Sequence, residues 1–180
     1  MNILHILART IPVIMIAALL IACSTGENKE PLEYTGPLSE AEDVELYMSE
    51  NDRVTVKMTA PVAYEFQNGD REFPKGVFIE MFDVTGKVTS TLRANHAFFF
   101  KSEEHWRGRG NVELKDLVRI QQLNTEELFW KPKDQKIYTE KFVTIRQEGD
   151  VLYGEGLDAK EDLSEYVIKH PSGDMEIKEE

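Results

Sequence analysis

This chain is short of the residues that catalysis and cofactor chemistry depend on. It holds one cysteine, Cys23, in 180 residues, so no disulfide can form within it. Its histidines are His5, His96, His105 and His170, and they fall at no metal-ligand or triad spacing. A Gly-x-Ser-x-Gly elbow and a phosphate-cradling glycine loop are both missing. Glu103-Glu104 and Glu126-Glu127 offer paired carboxylates, but the pattern puts them at turns or strand starts, where solvated surface explains them. Gly108 and Gly110 bracket Arg109 in what reads as a turn before a strand at Val112. The expectation is a non-enzymatic protein with no metal and no cofactor.

Positive charge is also scarce. Lys and Arg total 21 against 33 Asp and Glu, giving −12, which excludes general nucleic-acid binding because that needs a basic face. The imbalance is uneven: residues 23–60 carry 9 acids and 3 bases, and 147–180 carry 11 and 3, whereas 93–146 carry 11 bases and 8 acids. Solvated faces account for this; the alternative is a middle stretch that meets an anionic ligand.

Long apolar runs are absent too. The longest, residues 11–22, is 12 residues, short of the roughly 20 that cross a bilayer but the size of a secretory signal's apolar centre, about 7–15. Residues 1–22 contain no acid and one firm charge, Arg9. The run ends in Leu20-Ile21-Ala22-Cys23, which resembles a bacterial lipobox, cut before a cysteine that is then diacylated. The alternative is a chance thiol in an ordinary signal or short anchor helix. On the lipobox reading, residues 1–22 are the signal, Cys23 carries the lipid, and two acyl chains hold the protein on a membrane. Residues 23–43 form a tether, with Gly26, Pro31, Gly36 and Pro37 among polar residues, and 44–180 form the domain. Residues 43–48 fit either a short helix or an entry strand.

What is present from Val54 onward is alternation of period two. Val54, Val56 and Met58 alternate with Thr55 and Lys57, and Ile137, Thr139, Lys141, Val143 and Ile145 share one side of a later stretch. Hairpin punctuation falls at Asn68-Gly69, Thr85-Gly86, Lys133-Asp134, Glu148-Gly149 and Ser172-Gly173. An internal repeat underlies it. A slide of 31 carries Phe99 onto Trp130, Trp106 onto Ile137, Val112 onto Val143 and Leu114 onto Ile145. A backward slide of 33 carries Phe99 onto Phe66, Trp106 onto Phe73, Val112 onto Ile79 and Leu114 onto Met81. Three units therefore share a strand–hairpin–strand plan, predicting an all-β domain of two facing antiparallel sheets or one long curled sheet. Phe66, Phe99, Trp106, Leu114, Trp130, Ile137 and Ile145 are the predicted lining of an apolar slot, with plain sandwich core as the alternative.

These residues resemble the LptC family, the membrane-tethered periplasmic component of lipopolysaccharide export, in its Bacteroidetes-like lipoprotein form. The likeness runs from Phe73 to Gly173 through Phe73-Pro74-Lys75-Gly76-Val77, Phe82-Asp83-Val84-Thr85-Gly86, Leu92-Arg93-Ala94-Asn95-His96-Ala97, Gly110-Asn111-Val112, Thr125-Glu126-Glu127-Leu128-Phe129-Trp130, Tyr153-Gly154-Glu155-Gly156-Leu157, Tyr166-Val167-Ile168 and Pro171-Ser172-Gly173. The resemblance implies an open β-jellyroll whose groove takes lipid A acyl chains. It implies as partners lipopolysaccharide, the inner-membrane lipopolysaccharide ABC transporter and an LptA-like periplasmic bridge. The best-known branch is held by an uncleaved N-terminal helix, where this chain has Leu20-Ile21-Ala22-Cys23, so the membrane it occupies, inner or outer, is left open. The last strand, around Tyr166, Val167 and Ile168, has no following hairpin partner and is the expected docking edge. The rival expectation is a structural outer-membrane lipoprotein with a solid β core.

Overall fold

The period-two alternation becomes eleven strands in the computed structural model, which describes residues 34–173. The apolar run 11–22, Cys23, most of the expected tether and the tail 175–180 lie outside the described residues. The strands are β1 (Ser39–Glu50), β2 (Arg53–Glu65), β3 (Arg71–Phe73), β4 (Val77–Phe82), β5 (Val88–Ala94), β6 (His96–Phe100), β7 (His105–Asp116), β8 (Gln121–Lys131), β9 (Lys136–Gln147), β10 (Asp150–Lys160) and β11 (Tyr166–Ser172). The described residues contain no α-helix, only a 3-10 turn at Pro132–Asp134.

Residues 43–48 are strand, and β1 begins at Ser39, ahead of the expected domain start at 44. Its pattern was short: β1 is exposed along most of its length, and only Val44, Leu46 and Met48 alternate as a half-buried face, with main-chain pairing to β2 supplying the rest.

All pairings are antiparallel in one sheet ordered β11-β10-β9-β8-β7, after which it divides. β7 pairs β6 through residues 105–109 and β5 through 113–116. β2 gathers both branches, pairing β3 through 64–65 and β4 through 56–59, and β1 closes the far edge. The two sheets of the expected jellyroll are thus two leaves of one curled sheet, and the long strands run through both.

A transverse crease separates the leaves. Asp43 (φ 50), Gly76 (φ 90), Gly110 (φ 72), Asn111 (φ 47) and Gly156 (φ 77) all have left-handed backbone on this line. The ladder slips there between β7 and β8, β8 and β9, and β9 and β10. Such bulges bend a strand and sharpen its twist. Pro61 sits on the same line, where the absence of an N–H costs no ladder bond. Gly76 is required by crowding as well as by φ, since a Cβ there would lie 2.7 Å from the Ala94 carbonyl oxygen. Gly108-Arg109-Gly110 is therefore a bulge inside continuous β7, not the turn expected from its glycines. Glu126-Glu127 likewise lies mid-strand in β8 at the crease, not at a turn.

The core lies between the leaves. One leaf is aliphatic: Met58, Ile79, Leu92, Leu114, Leu123 and Ile145 stand side by side across six strands. The other is aromatic, with Phe73, Phe99, Trp106 and Trp130 and, beyond them, Ile137. Each large side chain so buried contributes about 1.5–3 kcal/mol.

Candidate functional site

The 31-residue slide has a direct meaning in this sheet. Each step of it moves two strands along the sheet, from one hairpin unit to the next, and Phe99, Trp106, Trp130 and Ile137 fall in one row over β6, β7, β8 and β9. Phe99 is half-buried with its ring 4.9 Å from Trp106, and Trp106 lies 6.4 Å from Trp130. Leu114 and Ile145 stand opposite, in the aliphatic row. Trp106, Leu114, Trp130, Ile137 and Ile145 are between 0 and 6% exposed, so the row is interior and not a surface stripe.

Phe66 departs from this set. It follows the end of β2 in a turn, where its N–H donates to the Asp70 carbonyl and its own carbonyl accepts from the Gly69 N–H. The backward slide of 33 also mispairs the first unit: hydrogen-bond register aligns Ile79 with Leu92 and Leu114, and Phe73 with Ala97 and Gly108. The corner at Lys75-Gly76 takes up the difference, and composition alone gives no measure of it. Leu92 and Leu123 belong to the lining and were legible, since the same slide of 31 carries one onto the other. Leu163, 1% exposed, had no such signal, for it comes from a loop.

Between the leaves, Val77, Ile79 and Leu92 face Trp106, Leu128 and Trp130 across a space of about 10 Å³, at the lower limit of the roughly 10–15 Å³ that one water needs. In the geometry seen here the leaves touch. A larger cleft, about 1080 Å³, crosses the crease and is lined by side chains of both signs, Glu45, Lys75, Arg93 and Glu126 among them, with Phe78 and Phe142.

The bases of the middle stretch are largely answered by neighbouring acids. Arg93 pairs with Glu113 at 3.1 Å, Arg107 with Glu127 at 2.6 Å, Lys115 with Glu113 at 2.9 Å, and Lys133 with Glu104. They form a solvated, paired face and no concentrated anion site. Among the described residues no three His, Cys, Asp or Glu side chains gather as metal ligands.

A family model described as lipopolysaccharide-assembly, LptC-related, matches residues 13–171. The chain belongs to the LptC family. Comparison with curated proteins finds no match. Family membership makes this a periplasmic, membrane-associated component of lipopolysaccharide export, a transport part and not a known type of enzyme. Among the described residues no helix is long and apolar enough to cross a membrane. The all-β, jellyroll-like architecture that the LptC resemblance implied is the one observed.

Placed on this LptC-family sheet, the expected docking residues lie on an edge. β11 pairs only with β10 among the described strands, and β1 only with β2. Tyr166 and Ile168 pack against the core, whereas Val167 is 65% exposed. Pro171 within β11 suits an edge strand, where its missing N–H breaks no inner ladder.

Proposed function

We propose that this chain is a conduit that takes lipid A acyl chains between its two leaves while the phosphorylated sugar head stays in water. It relays them from the inner-membrane ABC transporter to an LptA-like bridge, with the energy supplied by the transporter. The observation that carries this reading is the pair of uninterrupted apolar rows, six aliphatic residues facing an aromatic row, in a member of a lipopolysaccharide-export family. A methylene chain sliding along such rows exchanges like contact for like, about 0.8 kcal/mol per CH₂ kept throughout. The β11 edge at Tyr166, Val167 and Ile168 supports docking by strand addition, which fixes one groove against the next. The apolar run ending in Ala22-Cys23 supports a diacyl anchor at Cys23.

A second reading, a structural lipoprotein with a solid core, is favoured by the closed contact of the leaves. One experiment in cells separates the two. A photoreactive residue in place of Phe99 or Trp130 traps lipopolysaccharide if the leaves admit it, and one in place of Phe142, 55% exposed, does not. Equal labelling at all three positions means surface adhesion, and none at any position leaves the solid core. Palmitate labelling of the same strains checks the anchor: Cys23→Ala abolishes it, and undiminished incorporation removes the lipoprotein reading.

A further inference from the structure

The crease joins the leaves along one side. On the opposite side, the mouth, the two rims are separate in sequence. The turns after β1, β7 and β9 edge the aliphatic leaf, and those after β2, β6, β8 and β10 edge the aromatic leaf. The loop after β10, residues 161–165, starts from the aromatic rim and reaches the other. The Glu161 N–H donates to the Gln135 carbonyl at 3.0 Å, and the Trp130 Nε1–H donates to Glu161 Oε2 at 2.7 Å, both on the aromatic side. Arg119, in the turn after β7 on the aliphatic rim, then donates from Nη1 to the Asp162 carbonyl at 3.2 Å and lies 3.4 Å from Asp162 Oδ2. Arg119 is itself held by Asp116 at 2.8 Å, and Asp116 is buried. A second clasp crosses beside it, where the Tyr166 hydroxyl bonds Gln147 Oε1 at 3.0 Å.

Under these clasps one side chain enters the interior. Glu161 and Asp162 are half-buried and Ser164 and Glu165 exposed, but Leu163 is buried in the core cluster with Trp106 and Trp130. Its φ is +54°, a left-handed backbone that leucine rarely adopts, so the loop gives up local comfort to insert it. Elsewhere along the sheet the core is built by strands. Here it is completed by a loop residue whose loop is held across the mouth by one ion pair and a few hydrogen bonds, which is what a removable part of a core requires.

We propose that residues 161–165 latch the mouth of the groove, with Leu163 as the plug that an entering acyl chain displaces. The proposal rests on the conduit reading and adds where the chain enters and what gates it. The ligand class is a single saturated hydrocarbon chain, because the plug it replaces is one branched aliphatic side chain within a core cluster of aliphatic and aromatic residues. Withdrawing Leu163 relieves the left-handed backbone at the moment the chain takes its place, which offsets part of the cost of opening.

The test uses the full chain in cells, with a photoreactive residue in place of Phe99, which lies in the aromatic row and outside the clasps, as the reporter of occupancy and the host's lipopolysaccharide as the probe. Arg119→Met cuts the main clasp without touching the apolar core, and Leu163→Ser removes the plug. A gate held mostly shut lowers apparent affinity by its open fraction, so either change raises the yield of lipopolysaccharide adducts at position 99 by roughly tenfold below saturation. Should Leu163→Ser fail to fold, Arg119→Met carries the test alone. Adducts at position 99 with an unchanged yield in Arg119→Met overturn the latch and leave the conduit standing. No adduct at position 99 in any variant overturns both.

Discussion

The crease and the mouth close the same core by opposite means. At the crease the leaves are joined by continuous backbone: β1, β2, β7, β8, β9 and β10 run through it, bent at Asp43, Pro61, Gly110-Asn111 and Gly156. At the mouth the closure is made of side chains: Arg119 to Asp162, Tyr166 to Gln147, and Leu163 beneath them. A joint made of backbone opens only if strands unpair. A joint made of one partly exposed ion pair and a few hydrogen bonds, each worth little in water, opens for the loss of a few contacts. The asymmetry gives the sheet one hinge side and one opening side, as a clamp for a hydrocarbon chain requires.

The largest effect that tests this contrast is at the crease. Gly76→Val places a branched Cβ at φ 90, where even a simple Cβ meets the Ala94 carbonyl at 2.7 Å. Left-handed strain of about 1–3 kcal/mol and overpacking of similar size add, so the variant loses about 3 kcal/mol or more in urea unfolding. A loss under about 1 kcal/mol would mean the crease is soft and the contrast wrong. The mouth responds less. Leu163→Ala loses about 2 kcal/mol, the low end for a buried leucine, because the loop relaxes into the gap and sheds its left-handed backbone. Hydrogen exchange sharpens the point: the Glu161 and Leu163 amides lose protection while the middle of β8 keeps it.

The smallest effect is in pH dependence. Burial raises the Glu161 carboxyl above the ordinary glutamate range, against the opposing pull of the Trp130 hydrogen bond, with Asp162 and Glu50 adding repulsion. A raised folded value means the native state holds this proton longer than the unfolded chain. Glu161 therefore costs nothing below the unfolded value of about 4.3, and lowers stability as pH climbs through the folded value above it. Glu161→Gln keeps an acceptor for Trp130 Nε1 and removes that decline, so its melting midpoint relative to wild type rises from pH 4 to pH 7. A difference that stays flat, or falls, over that interval shows that the loop carboxylate is not desolvated at the rim.

Much of the sheet was legible in the chain. Asn68-Gly69, Thr85-Gly86 and Glu148-Gly149 marked turns because each supplies a residue that tolerates positive φ, and those turns stand where expected. The slide of 31 found the row Phe99, Trp106, Trp130 and Ile137 because equivalent positions two strands apart keep a fixed spacing when strands and turns keep their lengths. The backward slide of 33 does not carry the row to Phe66, because β2 ends before it and the corner at Lys75-Gly76 changes the spacing. Residues 43–48 fitted helix and strand alike because the inner face of β1 offers only Val44, Leu46 and Met48, too short a run to separate the two periods. The crease escaped notice because Gly108 and Gly110 read equally well as a turn or a bulge; only the pairing of β7 with β6, β5 and β8 distinguishes them.

By itself the sequence determined what is local: all-β structure from period-two alternation, hairpins from turn residues, the aromatic and aliphatic rows from the repeat, and a family likeness from motifs of turns and strands. Which row faces which was a tertiary matter, since the two leaves meet only when the long strands bend at one level. So was Leu163. A leucine between Asp162 and Ser164 in an acidic loop carries no periodicity, and it becomes core only because Arg119, 44 residues earlier in the chain, is brought across the mouth to hold its neighbour. Side-chain pattern reports the face of a strand, but the closing of one rim on another depends on distances between residues far apart in the chain.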